Sequence, residues 1–305
     1  MKINKKLVII ISIVILIGSM GLIYKSTSSV PIKESTNLNG LNETKKLEKK
    51  YEETLLSTQE LDELPIYDSS KTQETISKPV STNIVENKKI PILMYHSISY
   101  EKGNTLRVSK ENFRNQMKYI KNNNYTALTL DELYSYMQKG GKLPTKPIVI
   151  TFDDGYIDNY TNAYPILKEF KIKATMFVIT NTIDKEENYL TSNQLRLMDL
   201  DNIRIESHTV AHEHLDKIPY EDNVKTMKAS KIKLEKILNR KINYISYPYG
   251  GYTESTIKAA KQTGYILAFS TEFGWIGKND NIYSLGRIFV NSNYNLEQFK
   301  AKLNS

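Results

Sequence analysis

The stretch that constrains this chain most is Lys146 to Tyr156, K-P-I-V-I-T-F-D-D-G-Y. Between Pro147 and Gly155 lies an apolar, β-branched run (Ile148, Val149, Ile150, Phe152) interrupted only by Thr151. A strand of that composition is apolar on both faces, which suits a parallel sheet covered by other elements on each side. The run ends on two adjacent carboxylates, Asp153 and Asp154. In α/β proteins the C-terminal ends of the strands are where ligands and chemistry collect. Adjacent carboxylates repel each other, so a fold that builds such a pair adds a cation or divides their roles. A plain Asp-Asp-Gly turn is the competing reading of the same residues.

From Ile90 onward the chain alternates between extended and helical patterns. Pro91–Tyr95, Tyr125–Leu130, Ala174–Ile179, Ile203–Ser207, Ile242–Tyr247, Ile266–Ser270 and Arg287–Val290 read as extended. Helical spacing relates Phe113, Met117 and Ile120, then Tyr160, Ala163, Tyr164 and Leu167, then Val224 through Leu238. Asp131 is expected to cap a helix that ends at Gly140-Gly141, and Thr253 one that ends at Gly264. Alternation over about 215 residues predicts an α/β fold, a parallel barrel somewhat short of eight units.

The chain before this region differs in character. Leu7 to Tyr24 is an 18-residue stretch without charge, preceded by Lys2, Lys5 and Lys6. That length spans a bilayer core, and the lysines predict an inside N-terminus. A cleaved signal peptide begins in the same way, but no A-x-A-like site follows the apolar run. Residues 1–28 are therefore expected to be a membrane anchor (or signal peptide), and residues 29–88 a linker or stalk rich in Ser, Thr, Asn, Lys and Glu. Within it, Leu41–Leu56 could form a short charged helix. Residues 89–305 would then form the folded domain, outside the cell on a single-pass anchor. The absence of cysteine excludes disulfides, thiolate metal sites and a cysteine nucleophile. Net charge is +8, which suits anionic polymers, but no basic cluster with interleaved aromatics points to nucleic acid.

The chain has four histidines: His96, His208, His212 and His214. Three fall in S-H-T-V-A-H-E-H, directly after the extended run ending at Ser207. His-x-x-x-His sets both imidazoles on one side of a helical turn, or lets a strand-end loop converge them on one ion. With a carboxylate from the Asp-Asp pair they would make a two-His, one-Asp metal site with open positions. Ordinary surface histidines near a helix start are the alternative.

T-F-D-D-G (Thr151–Gly155), S-H-T-x-x-H (Ser207–His212) and Y-P-Y-G (Tyr247–Gly250), in this order, resemble the first three motifs of the polysaccharide deacetylase family, carbohydrate esterase family four. The resemblance covers roughly residues 90–300. It implies a distorted (β/α) barrel, one divalent metal ion, commonly zinc, and removal of acetyl groups from N-acetylglucosamine polymers or acetylated xylan. By position it implies Asp154, His208 and His212 as metal ligands, Asp153 as general base, and the Tyr249 backbone N–H as an oxyanion donor. I-L-M-Y-H-S-I (Ile92–Ile98) resembles the permuted branch that includes the poly-β-1,6-N-acetylglucosamine deacetylases, which implies His96 as the acid. No histidine follows His214, so the late L-x-H-type motif of other members is absent. A histidine that merely caps the first strand is the alternative for His96.

Ser246 stands where the third motif usually has a base-orienting arginine, and Arg287, in L-G-R-I-F-V, could reach the base instead. Trp275, in E-F-G-W, resembles the family's hydrophobic groove wall, with core packing as the alternative; Tyr247 and Tyr249 read as groove walls or packing, and His214 as exposed, with a supporting partner of the site as the alternative.

The function expected from the sequence is deacetylation of an extracellular N-acetylglucosamine polymer, poly-β-1,6-N-acetylglucosamine before peptidoglycan and peptidoglycan before xylan esters. A carbohydrate-binding relative without turnover is one alternative. A non-haem iron oxygenase is another, since it shares the two-His, one-carboxylate signature, although export argues against it.

Overall fold

In the computed structural model, which describes residues 88–303, the strand that ends in the two aspartates lies inside a nine-stranded sheet. The expected anchor over 1–28, the Leu41–Leu56 helix and the stalk over 29–88 (Lys88 apart) lie outside the described residues. That central strand, β3 (Pro147–Phe152), pairs in parallel with β1 (Ile90–Tyr95) on one side and β4 (Ala174–Val178) on the other. The parallel order continues through β5 (Ile203–Ser207), β6 (Tyr244–Ser246) and β7 (Leu267–Phe269). A short β2 (Thr126–Ala127) joins the start of β3, and β8 (Trp275–Ile276) runs antiparallel to the start of β1.

One segment links the two ends of this order. Ile282 and Leu285 exchange backbone hydrogen bonds with Ala268 and Ser270 at β7, while β9 (Ile288–Phe289) pairs with β1. The sheet therefore curls into a distorted barrel, closed by a segment that meets β7 through an isolated bridge at Leu285 and then β1 through β9.

The continuous apolar run of β3 now has its reason. Ile148, Ile150 and Phe152 pack into the layer under the helices, with Phe113 and Met117 of α1 (Lys110–Asn122) and Leu167 of α3 (Tyr164–Phe170). Val149 faces the other way, into a cluster with Ile90, Ile92, Phe177, Leu267 and Phe269 inside the barrel. The helix α2 (Leu130–Lys139) adds Leu133, Tyr136 and Met137 to that interior cluster. Each fully buried aliphatic or Phe side chain contributes roughly 1.5–3 kcal/mol, so both faces of β3 hold the site's foundation in place.

Several boundaries differ from those expected. Asp131 does not cap α2: Thr129 does, in a capping box with Glu132, and the Asp131 carboxylate instead accepts a hydrogen bond from the Tyr244 hydroxyl. The run Tyr125–Leu130 shrinks to two strand residues because α2 begins at Leu130. Two helices unmarked by strong periodicity are present, α4 (Ser192–Leu200) and α7 (Leu296–Lys302). Thr253 does cap its helix, α6 (Glu254–Gln262), and the long helix α5 covers Tyr220–Leu238. Among the described residues no helix is long and apolar enough to cross a membrane.

Behind β5, Arg240 ties three elements together. Its guanidinium donates to Asp199 of α4, to Glu206 of β5 (2.9 Å) and to the Ile205 carbonyl (2.7 Å). Glu206 is buried and also accepts from the Asn243 and Tyr244 N–H groups at the start of β6. Removing the arginine would leave that carboxylate buried without its counter-charge. Arg240→Ala is accordingly expected to cost about 3–5 kcal/mol of stability, read as a lower midpoint in chemical denaturation with unchanged slope.

Candidate functional site

At the end of β3 the backbone makes a sharp turn. The Asp153 N–H is held by the Tyr95 carbonyl at 2.9 Å, and Asp154 and Gly155 then take φ of 72° and 81°. Aspartate tolerates this left-handed region better than most side chains. Gly155 has a second reason to be glycine: a Cβ there would lie 2.8 Å from Val178 Cγ1.

Asp153 points into a buried polar knot. Arg287, which is fully buried, donates from Nη1 to Asp153 Oδ1 at 2.8 Å and from Nη2 to Oδ2 at 2.6 Å. The same guanidinium bonds the Ser270 carbonyl (3.0 Å), Thr151 Oγ1 (3.1 Å) and Ser246 Oγ (2.8 Å). Ser246 in turn donates to Asp153 Oδ2 at 3.1 Å. Burial alone would raise the Asp153 pKa, but Arg287 and then His208 outweigh it and hold the carboxyl below its usual range. Asp153 is therefore ionised at neutral pH.

Asp154 faces two imidazoles. His208 and His212 come from the loop after β5, which is a turn rather than a helix, with Thr209 and His212 at φ of 67° and 58°. His208 Nδ1 lies 2.8 Å from the Ser246 carbonyl. A carbonyl only accepts, so Nδ1 carries the proton and Nε2 presents its lone pair. Nε2 of His208 is 3.4 Å from Asp154 Oδ1, and Nε2 of His212 is 3.3 Å from the same oxygen. That oxygen is buried and has no hydrogen-bond partner. Two ring nitrogens and an orphaned carboxylate oxygen, all within 4.8 Å of one another, are a donor set that fits a divalent cation. The electrostatics agree. The His208 pKa is lowered by burial but raised more by Asp153 and Asp154, so protons compete with a cation for this site.

His96 closes β1 beside the pair. Its ring stands edge-on to Phe289, with centroids 6.0 Å apart, and its carbonyl accepts from the Asn159 side chain at 2.8 Å. Nδ1 is buried without a partner. Burial lowers the His96 pKa against the opposing pull of Asp153 and Asp154.

The aromatic expectations divide. Tyr249 is 56% exposed, at φ 58°, with its ring 4.3 Å from that of His212. His214 keeps the exposure expected of it, with 43% of its side chain open to solvent, and its ring stacks on Tyr249 at 3.8 Å and an interplanar angle of 8°. Tyr247 is fully buried and donates to the Tyr283 carbonyl at 3.0 Å, so it packs the core and walls no groove. Trp275 also departs from expectation. It pairs with Pro91 at the opening end of β1, five residues or roughly 16 Å along the strand from His96, at the opposite end of the strands from the aspartates.

A cleft of about 480 Å³ opens over the donor set, lined by Asp154, His212 and Tyr249 together with Tyr156, Tyr189 and Leu106. Sequence reasoning passed over Tyr156 and Tyr189. The first was visible as the residue closing the Asp-Asp-Gly stretch; the second lies in a polar loop with no local signal.

The profile of the family described as polysaccharide deacetylase matches residues 140–268. The chain is 40% identical over 217 residues to YxkH of Bacillus subtilis, a protein assigned to the polysaccharide deacetylases, across 71% of this chain and 77% of that one. It is 34% identical over 200 residues to a poly-β-1,6-N-acetyl-D-glucosamine N-deacetylase of Staphylococcus aureus, covering 60% of this chain and 67% of the relative. Among solved structures, the Streptococcus pyogenes deacetylase PplD in complex with acetate superimposes with a TM-score of 0.68 at 32% identity, over 71% of this chain and 99% of that one.

Proposed function

This chain belongs to the polysaccharide deacetylase family, and on that premise we propose that it is a metal-dependent hydrolase that removes N-acetyl groups from an extracellular N-acetylglucosamine polymer, poly-β-1,6-N-acetylglucosamine first. The carrying observation is the division of labour between adjacent carboxylates: Asp154 faces two imidazoles with an unpaired oxygen, while Asp153 is gripped by Arg287. The β-1,6 polymer is supported by the name of the Staphylococcus aureus relative and by a histidine at the end of β1. The charge-free stretch Leu7–Tyr24 supports a single-pass, membrane-held protein with its domain outside.

Asp154, His208 and His212 would hold the cation, which supplies Lewis acidity to the acyl oxygen and acidifies water. Asp153, kept ionised, takes the proton of the attacking water; its Oδ1 retains a lone pair beyond the one bound by Arg287, while Oδ2 is filled by Arg287 and Ser246. His96 gives a proton to the departing amine nitrogen, and the Tyr249 N–H steadies the oxyanion.

His96 must be protonated to act as the acid, so the rate falls as pH rises through its pKa. Burial sets that pKa below the ordinary value of about 6.5. His96→Gln is expected to lower kcat by about 10²–10⁴ and to erase this alkaline limb. A pH–rate profile that keeps the limb in the variant would remove His96 from the role.

The function itself is tested by acetate release from β-1,6-linked N-acetylglucosamine oligomers and from peptidoglycan, with and without added metal. Release from the oligomers supports the whole reading, and release from peptidoglycan alone changes the polymer. Metal binding without release from either would turn the reading toward a carbohydrate-binding relative.

A further inference from the structure

The turn that carries the two aspartates is laced to a second loop. Ile157 N–H donates to the Asn188 carbonyl at 2.8 Å, Leu190 N–H donates to the Gly155 carbonyl at 3.0 Å, and Tyr156 and Tyr189 face each other as an antiparallel bridge. Their rings stack, with centroids 5.1 Å apart and planes at 28°. Neither ring belongs to either hydrophobic cluster, even as a partly buried neighbour. Both line the cleft that contains Asp154 and His212, along with Asn181 and Glu186. The pair is thus a half-buried aromatic surface fixed by backbone bonds, beside the reacting position and not needed for packing.

Such a surface suits a pyranose ring. The C–H face of a β-linked sugar is apolar and its rim is polar, and a tyrosine offers an aromatic face with a hydroxyl at its edge. Asn181 and Glu186 add polar groups within the same cleft. A volume of about 480 Å³ lies within the size of small-ligand clefts, about 300–1,000 Å³.

We propose that the stacked Tyr156–Tyr189 pair is a sugar-binding subsite that carries the N-acetylglucosamine unit next to the one being deacetylated. The proposal rests on the deacetylase reading above. It makes the enzyme sensitive to chain length, because a substrate too short to reach the pair loses that contact. Tyr189 is the residue to change, since Tyr156 adjoins the metal donors.

The full chain, loaded with metal, is assayed for acetate release from the N-acetylglucosamine monosaccharide and from its β-1,6-linked tetramer. Wild type should prefer the tetramer, and Tyr189→Ala should shrink that preference about tenfold, through KM rather than kcat. Tyr189→Phe, which keeps the ring, should retain it. An equal loss on both lengths, or no loss, overturns the subsite. If wild type releases acetate from neither length, the deacetylase reading fails first, and calorimetric titration with the tetramer decides the subsite: weaker binding by Tyr189→Ala than by Tyr189→Phe keeps it, and equal or absent binding overturns it.

Discussion

Asp154→Asn should eliminate measurable acetate release and weaken metal binding by more than the roughly 10–100-fold that loss of a supporting group alone costs. The variant is chosen for its backbone. Asp154 sits at φ 72°, where asparagine is as comfortable as aspartate while alanine would add roughly 1–2 kcal/mol of strain. What changes is the charge on Oδ1, the buried oxygen that lies 3.3–3.4 Å from two imidazole nitrogens and has no hydrogen-bond partner. In the wild type without a cation, a proton on the His208 imidazole takes the cation's place, because, against burial, Asp153 and Asp154 raise its pKa. Loss of about 4 kcal/mol of transition-state stabilisation corresponds to roughly 10³ in rate. Chelation of the wild type should give a comparable loss that an added dication reverses, and the variant should show no such rescue. Equal metal affinity in variant and wild type would sink the assignment of Asp154 as a ligand.

Much of this site was legible because its signals are local. A short β-branched run, apolar on both faces and bounded by Pro147 and Gly155, suits a strand between two layers, and β3 does divide its side chains between the barrel interior and the helix layer. His-x-x-x-His after a strand left open whether a helix or a loop would converge the rings, and two left-handed residues make it a loop. What failed was local reasoning about groups whose partners come from elsewhere. Tyr247 and Tyr249 are two residues apart, yet one is buried under Tyr283 and the other lies exposed against His212 and His214. Trp275 was placed by analogy of its neighbours, and the pairing of β8 with the wrong end of β1 for a groove wall was not readable from E-F-G-W. The cap of α2 is a different case. Thr129 and Glu132 spell a capping box in the sequence, which outcompetes Asp131 by satisfying two backbone donors instead of one.

Asp153→Asn should lower kcat by about 10²–10⁴ while leaving metal affinity close to wild type, which separates the base from its neighbour. The pair it forms with Arg287 gives a second, thermodynamic signature. Both groups are buried and doubly bonded, so Arg287→Met strands a carboxylate in the core and should cost about 3–5 kcal/mol. In the double variant Asp153→Asn/Arg287→Met no charge is left to strand, and the cost should be well below the sum of the two single changes. The pH dependence follows from the lowered Asp153 pKa. The stabilisation is fully present above the unfolded value of about 3.9 and is lost as pH falls through the depressed folded value. The deficit of Arg287→Met relative to wild type should therefore narrow in acid, as both proteins come to hold a neutral carboxyl. Ser246 explains why this arginine approaches from residue 287: a small side chain there accepts from Nη2 and donates to Oδ2, in space that an arginine at 246 would need for itself. Additive single costs in the cycle, or a deficit independent of pH, would show that Arg287 packs the barrel without setting the charge of the base.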